Sequence, residues 1–235
     1  GWTMTQRMIL INSPYFISEE NLHKVDDWSE VFGNDRPLSL EIGCGTGHFV
    51  VECARRNPER NYLAIDIFNR GCFKTCNRVE QAGLTNVRVA RAEARFLMAH
   101  FLPPDSLSQI FINCPDPWPK KRHRSRRLVN ETFLDLARYV LKRDADLYFA
   151  SDFEDYAIDV AMRATEHPHF CQARSAPVTL DIENYPRSKY MRRFLDRNEP
   201  IYFVHFRCDK PEGTVLPPPP VEPGFRLLWA VASDL

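Results

Sequence analysis

The sequence predicts an α/β fold built around a mostly parallel β-sheet. Short apolar runs typical of buried strands recur along the chain, and windows with the apolar spacing of amphipathic helices separate them. A glycine-rich turn or an acidic residue follows several of these runs directly. Strands that alternate with helices indicate βαβ units, and open α/β sheets bind ligands at the carboxyl ends of their strands. The residues that follow each predicted strand are therefore the candidate site.

The individual elements follow from local signals. Phe49, Val50, Cys53 and Ala54 share one helical face, and Pro58 ends that helix because proline disfavours the α conformation in the residue before it. The predicted strands are residues 38–42, 62–65, 87–90, 109–114, 147–150, 178–182 and 201–206. The predicted helices are residues 49–54, 69–82, 94–99, 133–141 and a helix that ends at residue 161. One of the last two strands is expected to be antiparallel.

The chain divides into three predicted parts. Residues 1–36 form an N-terminal arm, which has apolar side chains without a clear period and is expected to cover one edge of the domain. Residues 37–208 form the central domain. Residues 209–235 form a proline-rich C-terminal tail, in which residues 217–220 predict a stiff polyproline II spacer and residues 225–231 an apolar segment that docks.

The charges balance, but they are not evenly spread. The chain has 31 Lys plus Arg and 31 Asp plus Glu, so its formal net charge is zero. Six basic residues fall within residues 120–127, and a looser basic group lies within residues 187–197. A local basic patch can bind a polyanion even in a neutral protein, because its charges act over about 10 Å. Any argument about a partner therefore depends on where the charge lies.

The cysteines indicate a reducing compartment, and we expect a cytoplasmic protein. Their number, seven, is odd, and they lack the paired spacing of a disulfide framework. Cys72, Cys76 and Val79 share one helical face, which favours core packing over metal binding. We therefore predict no metal site. No apolar run approaches the roughly 18 residues of a membrane-spanning helix, so no membrane association is expected.

A glycine-rich loop follows the first predicted strand. Gly43, Gly45 and Gly47 follow the pattern G-x-G-x-G, and Glu41 precedes them. The dinucleotide-binding fingerprint is G-x-G-x-x-G, so the loop does not match it. Glycines here allow close approach of a ligand to the backbone, although a plain tight turn is the alternative interpretation.

Acidic residues follow three later strands. Asp66 lies about 20 residues after the glycine loop, where a carboxylate can accept hydrogen bonds from ribose hydroxyls. Glu93 falls where it could face an adenine amino group, and Asp116 follows the fourth strand. Because an acidic rim disfavours a pyrophosphate, the pattern favours a nucleoside ligand without one. S-adenosylmethionine fits, since it carries a sulfonium and an ammonium group.

Residues 112–128 join a stiff acidic turn to a basic run. The sequence is I-N-C-P-D-P-W-P-K-K-R-H-R-S-R-R-L, in which Asp116 lies between two prolines. Each proline fixes its own φ and restricts the residue before it, so the segment is predicted to hold Asp116 and Trp118 in place. The stretch predicts a site next to an anion-binding arm, whereas each half alone would be compatible with a turn and a solvated surface.

With these residues in view, the chain resembles the tRNA (guanine-N7-)-methyltransferases. The resemblance rests on L-E-I-G-C-G-T-G at 40–47, A-I-D-I at 64–67, P-D-P-W-P-K-K-R-H-R-S-R-R-L at 115–128, S-D-F-E-D-Y-A at 151–157, and S-K-Y-M-R-R-F with P-I-Y at 188–202. It implies a class I methyltransferase (Rossmann-like) fold with a mostly parallel seven-stranded sheet and helices on both faces. Residues 37–208 would be the S-adenosylmethionine-dependent domain. The implied activity methylates N7 of guanosine at position 46 in the tRNA variable loop.

The resemblance also implies roles for individual residues. The donor S-adenosylmethionine, which leaves as S-adenosylhomocysteine, would contact Glu41, Gly43, Gly45, Gly47, Asp66, Ile67, Glu93 and Ala94. Asp116 would lie at the reaction centre. The tRNA would contact Lys120, Lys121, Arg122, Arg124, Asp152, Ser188, Lys189 and Tyr190. The family's late motif is usually T-x-[FY]-E, and Met191 stands here in place of its glutamate. The enzyme is expected to be a monomer or a homodimer.

The chemistry of guanine N7 narrows the expected mechanism. N7 has a free lone pair and no proton, so methyl transfer requires no general base. The protein must hold N7 in line with the methyl group, about 3 to 3.5 Å away. As N7 becomes cationic, Asp116 is expected to recognise the base and stabilise the charge. Trp118 would stack on a base or pack beside it.

Three other functions remain open at this point. A class I methyltransferase for a small molecule or protein would explain the glycine loop and the acidic residues but not the basic run. An RNA-binding protein that keeps the methyltransferase fold without activity is the second alternative, favoured by Met191. An NAD-dependent oxidoreductase is the third, and the glycine spacing argues against it.

Overall fold

A computed structural model of the chain describes residues 9–217, 219–221, 223–225 and 227. Its strands are β1 Phe16–Ile17, β2 Leu38–Ile42, β3 Asn61–Asp66, β4 Val87–Arg91, β5 Leu107–Asn113, β6 Leu141–Ser151, β7 Phe170–Gln172 and β8 Tyr202–Cys208. Its α-helices are α1 Glu19–Leu22, α2 Trp28–Phe32, α3 His48–Arg56, α4 Asn69–Gln81, α5 Ala94–His100, α6 Glu131–Val140, α7 Glu154–Glu166 and α8 Lys189–Asp196. A 3-10 helix covers Lys121–Arg126, and a second covers Pro223–Phe225.

The strands of the described residues form one sheet in the order β1-β4-β3-β2-β5-β6-β8-β7. β8 runs antiparallel to both of its neighbours, and the other pairings are parallel. This confirms the α/β class and the mostly parallel sheet. The chain leaves β2 toward β3 and β4 and later returns to pair β5 on the opposite side of β2. Such a switch in direction beside the central strand is where open α/β sheets bind ligands.

Two apolar layers cover the two faces of the sheet. Along β3, Leu63 and Ile65 belong to one buried cluster, whereas Tyr62 and Ala64 belong to the other. This alternation follows from the two-residue period of a strand. The first cluster includes buried residues of α5, α6 and α7, and the second includes residues of α3 and α4. Helices therefore lie on both faces, as expected.

The N-terminal arm adds a strand that the seven-strand prediction lacks. β1 pairs with β4 at the edge of the sheet, so the described residues contain eight strands instead of seven. The arm covers that edge, as expected. Its helices α1 and α2 have only four and five residues, which is too short to show a period. Trp28 is 6% exposed, and its Nε1 donates to the Phe101 carbonyl oxygen at 2.9 Å.

One predicted strand of the late chain is wrong, and two short elements were not predicted. Residues 178–182 do not form a strand, because their backbone makes only a single bridge, from Thr179 to Phe203. The edge strand is β7, which sequence patterns missed because it has only three residues, two of them exposed. The basic helix α8 was also missed. Its residues Met191, Phe194 and Leu195 share one helical face and pack in one apolar cluster, so their spacing could have predicted the helix despite the basic residues between them.

The start of the C-terminal tail is anchored to the domain. Lys210 is 5% exposed, donates to the Arg138 carbonyl oxygen at 2.7 Å and pairs with Asp105. Val221 packs against the larger apolar cluster. Most of the predicted apolar segment, residues 226 and 228–231, lies outside the described residues, and so does Pro218 of the predicted spacer. Within the described residues, no helix has both the length and the apolar character needed to cross a membrane.

Candidate active site

The glycine loop after β2 forms a cradle open to a ligand. Gly43, Gly45 and Gly47 have φ values of +77°, +55° and +88°, which glycine adopts without steric cost. A Cβ at Gly47 would lie 2.9 Å from Thr75 of α4, so this glycine lets α3 begin against α4. Among the described residues, nothing lies within 4 Å of a Cβ built at Gly43 or Gly45. These two positions leave space for a ligand to approach the backbone.

Glu41 places a buried carboxyl group beside this cradle. It is 2% exposed, and its Oε2 accepts a hydrogen bond from Asn113 Nδ2 at 3.4 Å. Tyr185 Oη in turn donates to Asn113 Oδ1 at 2.6 Å. Burial raises the pKa of Glu41 to about 8, and the charge of Asp66 adds to the shift. Glu41 Oε1 is buried without a hydrogen-bond partner among the described residues.

Asp66 closes the loop at the end of β3. Its Oδ2 accepts from the backbone N–H of Gly45 at 2.8 Å, and its Oδ1 accepts from that of Phe68 at 2.9 Å. Burial raises the pKa of this carboxyl, and these hydrogen bonds oppose the shift. The backbone N–H of Ile67 is a third donor, and because a carboxylate has about four acceptor positions, these three donors still leave capacity for a hydroxyl group. The next residues, Ile67 and Phe68, are 39% and 50% exposed apolar side chains beside it.

Glu93 caps helix α5 and pairs with Arg95. Its Oε1 accepts from the Arg95 backbone N–H at 2.6 Å, and Arg95 Nε lies 3.1 and 3.0 Å from the two carboxylate oxygens. Burial raises the pKa of Glu93, and Arg95 opposes the shift. Ala94, the first residue of α5, is buried. The ring of Phe225 lies 3.5 Å from the Arg95 guanidinium carbon and covers this ion pair. The carboxylate is thus held rigidly before a ligand arrives.

Asp116 lies on the other side of β2, in a turn held in an uncommon conformation. The turn follows β5, and its residues Cys114 and Trp118 have φ values of +49° and +42°. Positive φ is uncommon for such residues and marks backbone that its surroundings hold in place. Asp116 is exposed, and its Oδ1 accepts from the Trp118 backbone N–H at 3.2 Å. The carboxylate therefore points into solvent from a fixed backbone.

Asp152 and Tyr190 share the environment of this turn. Asp152 directly follows β6, and burial raises its pKa. Burial also raises the pKa of Tyr190, and the charges of Asp152 and Asp116 contribute to that shift. Residues that follow β5 and β6 therefore lie near residues of α8, and the charge they share is acidic. Five neighbouring strands, β4-β3-β2-β5-β6, thus end in one row, with the glycine loop at its centre.

The comparisons with known proteins agree with this arrangement. The sequence profile of a family described as putative methyltransferases matches residues 35–204. A tRNA (guanine-N(7)-)-methyltransferase of Syntrophotalea carbinolica is 53% identical over 229 residues, which are 97% of this chain and 98% of that relative. The enzyme of the same name from Geobacter metallireducens is 48% identical over 203 residues, or 86% of this chain and 96% of its own. The chain belongs to the tRNA (guanine-N(7)-)-methyltransferase family.

Solved structures support the fold of this family member. The 16S rRNA methyltransferase KamB superimposes with a TM-score of 0.57 at 17% identity, covering 81% of this chain and 92% of its own. An antibiotic-related methyltransferase gives a TM-score of 0.53 at 16% identity, covering 88% of this chain and 99% of its own. These similarities confirm the class I methyltransferase fold.

The donor side fits the S-adenosylmethionine that methyltransferases of this family and fold use. Glu41 Oε1, buried without a partner among the described residues, suits an ammonium group that would complete its hydrogen bonding. The open backbone at Gly43 and Gly45 leaves room for the methionine moiety. The exposed side chains of Ile67 and Phe68 offer apolar surface to an adenine ring. In the described part of the chain, no cluster of three or more His, Cys, Asp or Glu could hold a metal ion.

Most side chains of the basic run, residues 120–127, are exposed to solvent, but one of them is buried. Lys120, Lys121, Arg122 and Arg124 are exposed, and Arg124 pairs with Asp155 at 3.0 Å. Arg127, by contrast, is 1% exposed. The expectation that residues 120–127 act as a whole on an RNA backbone is therefore wrong for Arg127. A basic run in sequence does not show which of its members points inward.

Arg127 ties the acidic turn to helix α7. Its Nε donates to the Pro117 carbonyl oxygen at 2.8 Å, and its terminal nitrogens lie 3.0 Å from Asp155 and 3.7 Å from Asp159. The guanidinium carbon also lies 4.7 Å from the centre of the Tyr156 ring. Arg126 and His123 flank Trp118, with the Arg126 guanidinium carbon 5.1 Å from its ring centre. Trp118 therefore packs against the 3-10 helix Lys121–Arg126.

Helix α8 carries the late motif. Ser188 caps the helix, because its Oγ accepts from the Met191 backbone N–H at 3.1 Å. Lys189 and Tyr190 are exposed, whereas Met191 is 0% exposed in a small apolar cluster with Ile182, Ile201 and Phe203. The residue that replaces the family's usual glutamate is thus a core residue. Sequence reasoning also missed Asn113 and Tyr185, since their link to Glu41 joins residues 72 positions apart.

Proposed function

We propose that the protein transfers the methyl group of S-adenosylmethionine to N7 of guanosine at position 46 in the tRNA variable loop. The products are 7-methylguanosine and S-adenosylhomocysteine. One observation carries the proposal. In a chain 53% identical to a tRNA (guanine-N(7)-)-methyltransferase, a donor cradle and an exposed aspartate turn open side by side at the carboxyl end of the sheet.

The donor side binds and orients S-adenosylmethionine. Glu41 takes the ammonium group, Gly43, Gly45 and Gly47 bring the backbone close, and Asp66 accepts hydrogen bonds from the ribose. Ile67, Glu93 and Ala94 surround the adenine. The bound molecule supplies an electrophilic methyl group on a sulfonium. These assignments are supported by the open cradle and by the incompletely satisfied carboxyl group of Glu41.

The acceptor side positions the base. Asp116 accepts hydrogen bonds from the guanine N1–H and amino edge and stabilises the positive charge that develops as N7 is methylated. Asp152, Ser188 and Tyr190 line the acceptor pocket, and Lys120, Lys121, Arg122, Arg124 and Lys189 contact the RNA. No residue needs to remove a proton, because N7 carries none. Catalysis then consists mainly of holding N7 in line with the methyl group, about 3 to 3.5 Å away.

Methyl transfer to a tRNA transcript tests this proposal. The parent protein is expected to transfer label from S-adenosylmethionine to the transcript, and replacing guanosine 46 with adenosine is expected to abolish the transfer. Asp116→Ala is expected to lower kcat by at least ten-fold. Asp35→Ala removes an exposed aspartate from the opposite end of the sheet and serves as the matched control. Equal labelling of both transcripts would overturn the assigned position, and no labelling would favour a binding protein.

The proposed cellular setting is the cytoplasm, with the enzyme acting as a monomer or a homodimer. All seven cysteines are free thiols, five of them buried, which suits a reducing compartment. The division into an arm of residues 1–36, a methyltransferase domain of residues 37–208 and a tail of residues 209–235 remains part of the proposal.

A further inference from the structure

A basic hollow lies beside the donor cradle, outside the residues assigned so far. It has a volume of about 300 Å³, and its lining residues come from α3, α4 and α8. Each of these helices contributes one basic side chain, namely His48, Arg78 and Arg192. Three side chains that are distant in sequence thus converge on one small volume.

Arg78 and Arg192 carry the positive charge of this hollow. Within the described residues, neither Arg78 nor Arg192 forms an ion pair with a carboxylate. The lining residue Glu52 is itself engaged, since its Oε1 lies 2.5 Å from Arg55 Nη2 and 2.7 Å from Arg56 Nε. Burial lowers the pKa of His48, and the charges of Arg78, Arg192 and Lys189 lower it further. The field in the hollow is therefore positive, and the complementary ligand is an anion.

The hollow is connected to both halves of the active site. Arg78 Nε donates to the Thr46 carbonyl oxygen of the glycine loop at 3.0 Å, which holds the guanidinium in place. Within the described residues, the terminal nitrogens of Arg78 form no hydrogen bond, so they are available to an anion. Arg192 is exposed on α8, the helix that also carries Lys189 and Tyr190. An anion bound here would therefore lie beside the acceptor pocket. A planar guanidinium pair suits a phosphate group, which accepts several charge-assisted hydrogen bonds.

We propose that this hollow binds a backbone phosphate of the tRNA. The inference rests on the proposed function for the identity of the polyanion. It adds a contact on the α3–α4–α8 side of the active site to the one expected from the exposed basic residues of Lys121–Arg126. Two separated phosphate contacts would fix the orientation of the RNA as well as its affinity, because phosphate contacts position the nucleic acid without reading its sequence.

The salt dependence of tRNA binding tests the phosphate site. Arg192→Ala is expected to weaken tRNA binding about ten-fold at moderate salt. It is also expected to reduce the slope of log K against log salt concentration by about 0.7 to 0.9, the value for one phosphate contact. Arg192→Lys should restore most of the slope. Lys142→Ala removes an exposed charge at the amino end of β6 and should leave the slope unchanged.

One further measurement separates this proposal from its alternatives. The Kd for S-adenosylmethionine is expected to be unchanged in Arg192→Ala, because the hollow lies outside the donor cradle. Weaker binding of S-adenosylmethionine with unchanged tRNA binding would assign the hollow to the donor, and an unchanged salt slope would overturn the phosphate site. The salt slope is measured by binding alone, so it tests the phosphate site even if the parent protein transfers no methyl group. Absence of methyl transfer would refute the proposed function and not the phosphate site.

Discussion

At the scale of single residues, Glu41 has the least satisfied environment in the donor site. It is fully enclosed, and the Asn113 hydrogen bond to one oxygen is long at 3.4 Å. Burial without a cation favours the neutral carboxyl, which explains a pKa of about 8. The Tyr185 hydrogen bond fixes the amide of Asn113, so the carboxyl group is oriented before the ligand arrives. A buried carboxyl group without a cation is unfavourable in the free protein, and it becomes favourable when a cationic ligand binds beside it.

Donor binding should therefore release a proton from Glu41. At pH 7 the carboxyl of the free protein is mostly protonated, because its pKa of about 8 lies above the pH. The ligand ammonium favours the charged form and lowers this pKa, so the proton leaves. Titration calorimetry at pH 7, in two buffers of different ionisation enthalpy, is expected to show release approaching one proton per S-adenosylmethionine bound.

The matched variant is Glu41→Gln, which keeps the shape of the side chain and cannot ionise. It should bind S-adenosylmethionine more weakly and lose this release, whereas Glu52→Gln, on the surface of α3, should behave as the parent does. Any proton lost by the ligand itself is common to all three proteins and cancels. Equal release by Glu41→Gln and the parent would contradict the assignment of Glu41.

At the scale of elements, the acidic turn after β5 depends on Arg127, which follows the 3-10 helix Lys121–Arg126. The turn lies outside the regular strands and helices, and both Cys114 and Trp118 have positive φ. Arg127 fixes it by bonding the Pro117 carbonyl oxygen and pairing with two aspartates of α7. Arginine alone among side chains offers enough donors in a rigid plane for these contacts. The buried guanidinium of Arg127 thus holds the acidic turn against helix α7.

Arg127→Met should separate positioning from binding. The variant keeps the apolar volume and leaves Asp155 paired with Arg124 and Asp159 with Arg163. Loss of the Pro117 contact is expected to lower kcat by about ten-fold or more, with little change in the Kd for S-adenosylmethionine. The free energy of unfolding should fall by about 1 to 3 kcal/mol, the usual cost of an unsatisfied buried polar group.

Arg124→Met is the control for that prediction, because Arg124 shares Asp155 but is exposed. It should mainly raise the KM for tRNA. Arg127→Lys should rescue only part of the activity, since an ammonium group cannot make the three contacts together. A kcat for Arg127→Met equal to that of the parent would show that the turn holds Asp116 without this arginine.

At the scale of the whole molecule, the N-terminal arm is part of the core. Ile17, Leu22, Trp28 and Phe32 all belong to the larger apolar cluster. Trp28 also lines a hollow with Asn61 and Lys142 near the amino ends of their strands, at the end of the sheet opposite the active site. Trp28 should therefore contribute to stability and not directly to chemistry.

Trp28→Ala should lower the free energy of unfolding by about 3 to 5 kcal/mol, as large core truncations do. Denaturant unfolding measures this change, and the kcat at a temperature where the variant stays folded should match that of the parent. Leu10→Ala, which truncates a side chain that is 88% exposed, is the control and should change stability by less than about 0.5 kcal/mol. A small effect at Trp28 would show that the arm docks loosely.

The sequence by itself determined the α/β class, the succession of the main strands along the chain and the positions of the acidic residues after them. These features are local, since apolar runs and glycine turns act over a few residues. Glu41, Asp66, Glu93 and Asp116 could therefore be assigned to strand ends by their position in the chain alone. The resemblance to a family then implied that the residues at these strand ends take part in one reaction, methyl transfer from S-adenosylmethionine.

Only the tertiary structure decided which side chains meet. It joined Tyr185 to Asn113 and Glu41, turned Arg127 inward, and brought Arg78 and Arg192 to one hollow. It also added β1 to the sheet and buried Met191. These contacts connect residues far apart in sequence, and whether a basic side chain is exposed or buried depends on its neighbours in space. No local pattern carries that information, because burial is a property of the packed chain.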